Sequence, residues 1–529
     1  MSAARAVTRR AVADSRIRNV SFAGFLGLIA FANVVGYRHT YPTLKERLAF
    51  AASFGTNKAV ELFYGHPHDL LTVGGYTAWR VGGIGAIIAA VWGLLAAVRA
   101  LRTEEESGRQ ELVLAGVLER RAAYLAAVAA IGAGGALLWL ALTLGLAAGR
   151  LPVGGSAYLA LATIASGAVF AGVGAVASQL AATRRVAVEL SAAVLVLALL
   201  LRTVADISSG LGGLRWATPL GWSEELRPFA DPRPAVLVLP AVTAALLFVA
   251  GEAIARGRDV GTGLIQGRDS SEPRLRLLSS PAALALRSQR GSLAGWLAGT
   301  GVFALVVGLL STSFTSANIP ESLRRELHKL GGASITTPAG ALGFYFVLFV
   351  FAFSLFACSQ IAAARREEAD QELETLLALP VSRTRWLVGR ILLAAGCTTF
   401  LAFSTSLLAW AGAAGKGAHV SLPRMLEAGA NSLPVAFLFL ALAALAFALV
   451  PRASVGIAYG LVSVAFVWEL FGALLGAPRW LLDLTPYQHV GLVPAQPFRA
   501  AAAGIMLGIA AGAAASAVAL FRRRDLAGA

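Results

Sequence analysis

The sequence predicts an all-α polytopic membrane protein of about twelve transmembrane helices, arranged as two parallel six-helix repeats. Three observations predict it. The 529 residues are 57% hydrophobic and only 14% charged, with a mean hydropathy of +0.70, which leaves too little polar surface for a soluble chain of this length. Apolar runs of roughly 20 residues, the length that crosses a hydrocarbon core, recur from end to end. A patterned acidic segment occurs twice at a fixed separation.

The first half places its apolar runs near 20–37, 77–100, 122–147, 156–181, 186–209 and 234–255. The second places them near 294–311, 339–364, 386–413, 430–450, 453–475 and 499–521. The expected organisation is therefore a half over 1–255, a polar linker over 256–293, and a half over 294–529. The polar stretches are short, so no folded domain is expected outside the membrane. Arg5, Arg9, Arg10, Arg16 and Arg18 precede the first run, but no small-residue cleavage site follows it, so a cleaved leader is not expected.

Charge sets the orientation. The N-terminal stretch, the linker and the C-terminal tail hold 15 Arg/Lys against 5 Asp/Glu, whereas 38–76, 210–233, 312–338 and 476–498 hold 11 against 9. The basic excess marks the cytoplasmic side, so both termini are expected in the cytoplasm and the chain in the cell membrane. The net charge of +16 then needs no nucleic acid, and its natural partners are anionic lipid headgroups. Cys358 and Cys397 lie inside apolar runs and the six histidines are scattered, so neither a disulfide framework nor a metal site is expected.

The repeat is read from the residues after the second run of each half, RTEEESGRQELVLAGVLERR and RREEADQELETLLALPVSRT. A shift of 263 residues aligns Arg102 with Arg365, Glu104 with Glu367, Glu105 with Glu368, Glu111 with Glu374 and Arg120 with Arg383. Thr218–Pro219 matches Thr485–Pro486 at 267, and Arg258–Asp259 matches Arg524–Asp525 at 266. Three sites in order at nearly constant spacing indicate duplication. Within each acidic segment, glutamates seven apart share a helical face. The nearby leucines complete a short amphipathic helix at the membrane surface, with acid at its start and arginine at its end, as the macrodipole favours. A plain solvated loop would also carry such charge, but both copies keep the same spaced acids, which favours docking to a cytoplasmic partner.

No catalytic constellation is evident. GAAGKG around Lys416 lacks the spacing of a phosphate-binding loop and the Ser/Thr that follows it. No nucleophile elbow or HExxH pattern occurs.

These features resemble the ATP-binding-cassette exporter permeases of the tetronasin type, large actinobacterial drug and polyketide exporters. The resemblance covers the whole chain. It rests on two six-helix halves, an R-x-E-E segment followed by spaced Glu-Leu after the second helix of each, and a Thr-Pro loop before each last helix. It implies a transport subunit that is not itself an enzyme and binds no cofactor. ATP and magnesium would sit on two copies of a separate ATPase subunit, seated on coupling helices within 101–121 and 364–384. Glu104, Glu105, Glu111, Arg120, Glu367, Glu368, Glu374 and Arg383 would make that contact. The second copy reads Glu-Thr-Leu where the first has Glu-Leu-Val, and it alone carries Pro380, so unequal contacts are expected. The cargo would be a hydrophobic or amphipathic small molecule. An ion-driven transporter or a membrane enzyme acting on lipid-linked substrates remains the alternative, though neither accounts for the duplicated acids.

Two further expectations concern the cargo path. Phe346, Phe349, Phe353 and Phe356 form one helical stripe, and the aligned Gly83, Ala86, Ala90 and Gly93 form a stripe of small residues. Both are expected to face the axis between the halves, although packing within each half or against lipid is the plainer alternative. At the outer helix ends, Arg202, Asp206 and Glu469 are expected to form an outer gate, the alternative being charges that reach to the interface.

Overall fold

The computed structural model describes residues 3–55, 61, 64–106, 108, 119–207, 210–259, 263–264, 280–314, 337–471 and 478–525. Contacts divide the chain into two units, Met1–Ser271 and Glu272–Ala529. The first contains α1 (Ala3–Thr40), α2 (Val73–Glu106), α3 (Arg120–Ala148), α4 (Val153–Leu180), α5 (Arg184–Ile207) and α6 (Pro234–Gly257). The second contains α7 (Pro281–Leu310), α8 (Pro338–Ala369), α9 (Arg383–Gly415), α10 (Leu422–Leu449), α11 (Ser454–Phe471) and α12 (Ala500–Arg523). Among the described residues eleven of these are long and apolar enough to cross a membrane, and α11 is a shorter apolar helix. The secondary structure is helical because a bilayer offers backbone amides no other partner, and a helix satisfies them internally.

Two helices run well past their apolar runs. α1 begins 17 residues before the expected start, over the arginine-rich stretch. α7 begins at Pro281, so the last part of the expected linker is helix; the Ser280 hydroxyl accepts the Ala283 amide and proline occupies the first turn. Hydropathy detects only what lies in lipid, and these extensions are amphipathic or polar.

Each half follows one packing plan. In the first, α1 lies along α3, α2 along α4, and α6 along α4; in the second, α7 lies along α9, α8 along α10, and α12 along α10. Small residues allow the close crossings. A Cβ on Gly145 of α3 would strike the backbone of Gly27 on α1, and one on Gly412 of α9 would strike Leu305 and Leu309 on α7. For each half, the end at which its first helix starts is called here the inner end.

Candidate functional site

The repeated acidic segment begins where α2 and α8 reach their inner ends. Its second glutamate turns inward in both copies. Glu105 is 5% exposed and takes a two-pronged ion pair from Arg258, which follows α6, at 2.6 and 2.7 Å. Arg102 adds a third contact to Glu105 at 3.0 Å, and the Gln179 side-chain oxygen accepts from Arg258 at 2.8 and 3.0 Å. In the second half, Arg524, following α12, donates to both oxygens of Glu368 at 2.8 and 2.9 Å. There the Arg524 guanidinium lies over the rings of Phe447 and Phe521, 5.1 and 5.2 Å from their centres.

Two more contacts repeat. Arg120, the first residue of α3, donates to the Arg258 carbonyl at 2.8 Å, and Arg383, the first residue of α9, donates to the Arg524 carbonyl at 2.6 Å. Arg102 donates to the Ala182 carbonyl in the α4–α5 turn, and Arg365 to the Pro451 carbonyl in the α10–α11 turn at 3.1 Å. Each half therefore ties the inner end of its second helix to its third helix, its fourth-to-fifth turn and the end of its sixth. We call this arrangement the clasp. It buries Glu105 and Glu368 within their halves, with Arg383 half-buried beside the second and Arg120 at the exposed edge of the first. Sequence alignment found the repeated residues, including Arg258 and Arg524. It did not find that they join the acids, because the partners lie about 150 residues apart along the chain.

The other acids of the segment are placed differently. Glu367 is half-buried and pairs with Arg390 on α9. Beyond Gln371, which adopts a left-handed backbone with φ of 62°, the chain forms a short helix, Glu372–Leu377. Leu373 is fully buried in the core of this half, while Glu372 and Glu374 are exposed. This amphipathic helix is shorter than expected: Glu367 lies on α8 and the left-handed Gln371 separates it from Glu374, so the two acids do not share one helical face, and Arg383 already belongs to α9. In the first copy Glu104 is half-buried on the last turn of α2, and Glu111 lies outside the described residues.

The two stripes are both buried. The phenylalanines are at most 3% exposed, so they do not face lipid. Their ring partners include Phe303 and Trp296 of α7, at 5.6 Å from Phe349 and 5.9 Å from Phe356. The small stripe seats α2 on α4: a Cβ on Gly93 would strike the Gly167 carbonyl, and Ser166 donates to the Ala86 carbonyl at 3.2 Å. Ala90 packs with Phe170 of α4 in the same cluster, and a Cβ on Gly83 would strike the Tyr64 backbone. The recorded contacts of each stripe thus lie within its own half.

At the outer end of the first half, Arg202 of α5 is 2% exposed and meets Glu224 at 2.5 Å and Asp206 at 3.4 Å. Arg215 meets Asp206 at 2.7 Å, and Glu225 engages Arg227 and Arg233 at 3.2 Å each. Gly65, at φ of 84°, leaves room for this network, since a Cβ there would overlap Glu224 and Arg202. Burial pushes the Glu224 carboxyl up to about 8; Arg202 pulls it down and Asp206 pushes it further up. Glu224 and its neighbours sit on the hairpin after Thr218–Pro219, and the sequence reading passed over them. In the second half, Glu469 accepts from Thr485 at 2.9 Å and from Gln488 at 3.1 Å. The duplicated Thr-Pro pair starts a short helix in both copies: Thr218 accepts the Leu220 amide and Thr485 the Gln488 amide. Arg202 and Glu469 thus each have partners in their own half.

Two halves of six apolar helices, folded on one plan and clasped alike at their inner ends, define a duplicated multi-pass membrane protein. Residues 278–522 match the family model for the C-terminal domain of the multidrug efflux system permease Rv1217c. The chain is 33% identical over 508 residues to the multidrug efflux system permease protein Rv1217c of Mycobacterium tuberculosis (strain ATCC 25618 / H37Rv), an alignment covering 94% of this chain and 90% of that protein. The chain belongs to this family of multidrug efflux system permeases.

Proposed function

We propose that the chain is the membrane subunit of an ATP-driven exporter of hydrophobic or amphipathic small molecules, with both termini in the cytoplasm. Two copies of a separate ATPase, carrying the ATP and magnesium, would seat on the segments 101–121 and 364–384. The observation that carries this reading is the division of labour in the second segment. Its short helix presents Glu372 and Glu374 outward while standing on buried Leu373. The chain on either side of that helix is clasped to α9, the α10–α11 turn and the residue after α12. A push on the exposed helix would be delivered to several membrane helices at once instead of being absorbed in a loop. The relative from Mycobacterium tuberculosis, named as part of an efflux system, supports the export direction and the need for further components.

The test is the joint replacement of Glu104, Glu111, Glu367 and Glu374 by alanine. The variant should insert with a lowered melting temperature, because Arg390 loses its Glu367 partner, and its ATPase partner should hydrolyse ATP without moving drug. Normal export by that variant, measured as dye efflux from reconstituted vesicles, would remove the coupling role.

A further inference from the structure

At the inner end of the first half, α1, α2 and α3 enclose a cavity of about 620 Å³, within the range of sites for drug-sized molecules. Its inner wall is apolar, formed in part by Trp92, Ala96, Ala130 and Ile131. Two polar atoms are stranded on that wall. Among the described residues the indole N–H of Trp92 and the amide oxygen of Asn19 have no hydrogen-bond partner, although their residues are only 8% and 7% exposed. Both side chains lie against Gly134, whose missing Cβ would come within 2.8 Å of each. A donor and an acceptor left unsatisfied in a buried wall each cost about 1–3 kcal/mol, so the wall is built as though a polar atom of a guest completes it.

The mouth is charged, and most of its charge is already engaged. Arg10 stands 3.9 Å from Asp14. Arg120 and Arg258 belong to the clasp with Glu105 and Asp259, and Glu104 is the remaining acid on the lining. Arg18 of α1 and Arg99 of α2 also line the cavity, close enough for their positive charges to oppose each other. No hydrogen bond or ion pair joins either to another described residue. Two guanidiniums lining the mouth of one apolar chamber favour an anion there, because each offers charge-assisted donors and the two repel without one.

We propose that this cavity binds a drug-sized amphiphile with a single anionic group. Its apolar body lies against Trp92 and Ile131, its polar atoms meet Trp92 and Asn19, and its anion sits between Arg18 and Arg99. The site lies wholly within the first half and does not depend on the export reading. Two sources share this chemistry, a free organic acid and an anionic lipid of the adjacent leaflet.

The probe is 11-(dansylamino)undecanoate, with its methyl ester as the uncharged control. Each is titrated into the purified chain in phosphatidylcholine nanodiscs, without ATPase, and read by energy transfer from tryptophan. The carboxylate should bind saturably and on the order of tenfold tighter than the ester, the value of one added charged contact. R18Q/R99Q, at two exposed positions that leave the packing untouched, should erase that preference, and A96F should block both probes. Adding phosphatidylglycerol to the nanodiscs separates the sources. Displacement of the probe identifies a lipid headgroup as a natural occupant, and retention identifies a free amphiphile. Equal affinity for carboxylate and ester in the unmodified chain, or unchanged binding in R18Q/R99Q, would overturn the proposal. Because neither ATP nor transport enters the measurement, its failure leaves the export reading untouched.

Discussion

Glu105 and Glu368 carry the same role at matching positions, and their neighbours Glu104 and Glu367 do not share it. Removing one partner from a buried pair strands the other charge, at a cost of about 3–5 kcal/mol. Glu105→Ala and Glu368→Ala should therefore each lower the thermal unfolding midpoint in detergent by several degrees, while exposed Glu374→Ala leaves it unchanged. A second change, Arg258→Met, should recover part of the loss in the Glu105→Ala background, because it removes one of the two arginines left without Glu105, the other being Arg102. Unaltered melting of both single variants would show that the clasp contributes nothing. The outer network gives a pH-dependent prediction. Between the ordinary value near 4.5 and about 8, folded Glu224 holds a proton that the unfolded chain has lost. Stability contributed by this group thus falls as pH rises through that window and stops falling above about 8, with a slope of at most about 1.4 kcal/mol per pH unit. Glu224→Gln should flatten the decline, measured as melting temperature from pH 6 to 9; identical pH profiles would contradict it. Sequence reading found Arg202 and Asp206 because they are four apart on one helix. It missed Glu224, which meets them only when the hairpin folds back.

Helices were legible where lipid writes them. Nine of the twelve expected runs were placed to within a few residues at their starts; α1, α7 and α10 begin earlier, and the first turns of α10 carry Arg424 and Glu427. The water-side extensions of α1 and α7 were not legible from hydropathy, because arginine and other polar residues interrupt their apolar runs while still forming helix. The start of α7 did leave a signal in Ser280–Pro281, which a capping reading would have found. What hydropathy cannot carry at all is which face of each helix meets which neighbour. The glycines carry it instead. Gly412 lies against the backbone of α7, whereas a Cβ on Gly396, on the same helix α9, would meet nothing. Gly412→Leu should therefore separate α7 from α9 and cost about 1–3 kcal/mol or more by overpacking, and Gly396→Leu should be tolerated. Equal yields and melting temperatures for the two variants would dismiss the close crossing.

At the scale of the whole molecule, the duplication was the most informative thing in the sequence. It predicted two halves, and each half then proves to use the same helix pairings and the same clasp. The copies differ where function is expected to tolerate difference: phenylalanines face one line of α8 where small residues face α2, and aromatic rings replace Gln179 around the second clasp. Composition and periodicity could not supply the partner, since an ATPase contact leaves no mark in one chain beyond an amphipathic acidic surface. The proposed function requires that this surface receive a separate ATPase. It is tested most directly by solubilising the chain from its own membranes, purifying it gently and weighing the intact complex by native mass spectrometry. The expected species is one permease chain with two copies of a Walker-motif ATPase, lost when Glu104, Glu111, Glu367 and Glu374 are all alanine. A chain that arrives alone, and moves drug in vesicles on an ion gradient without ATP, would contradict it.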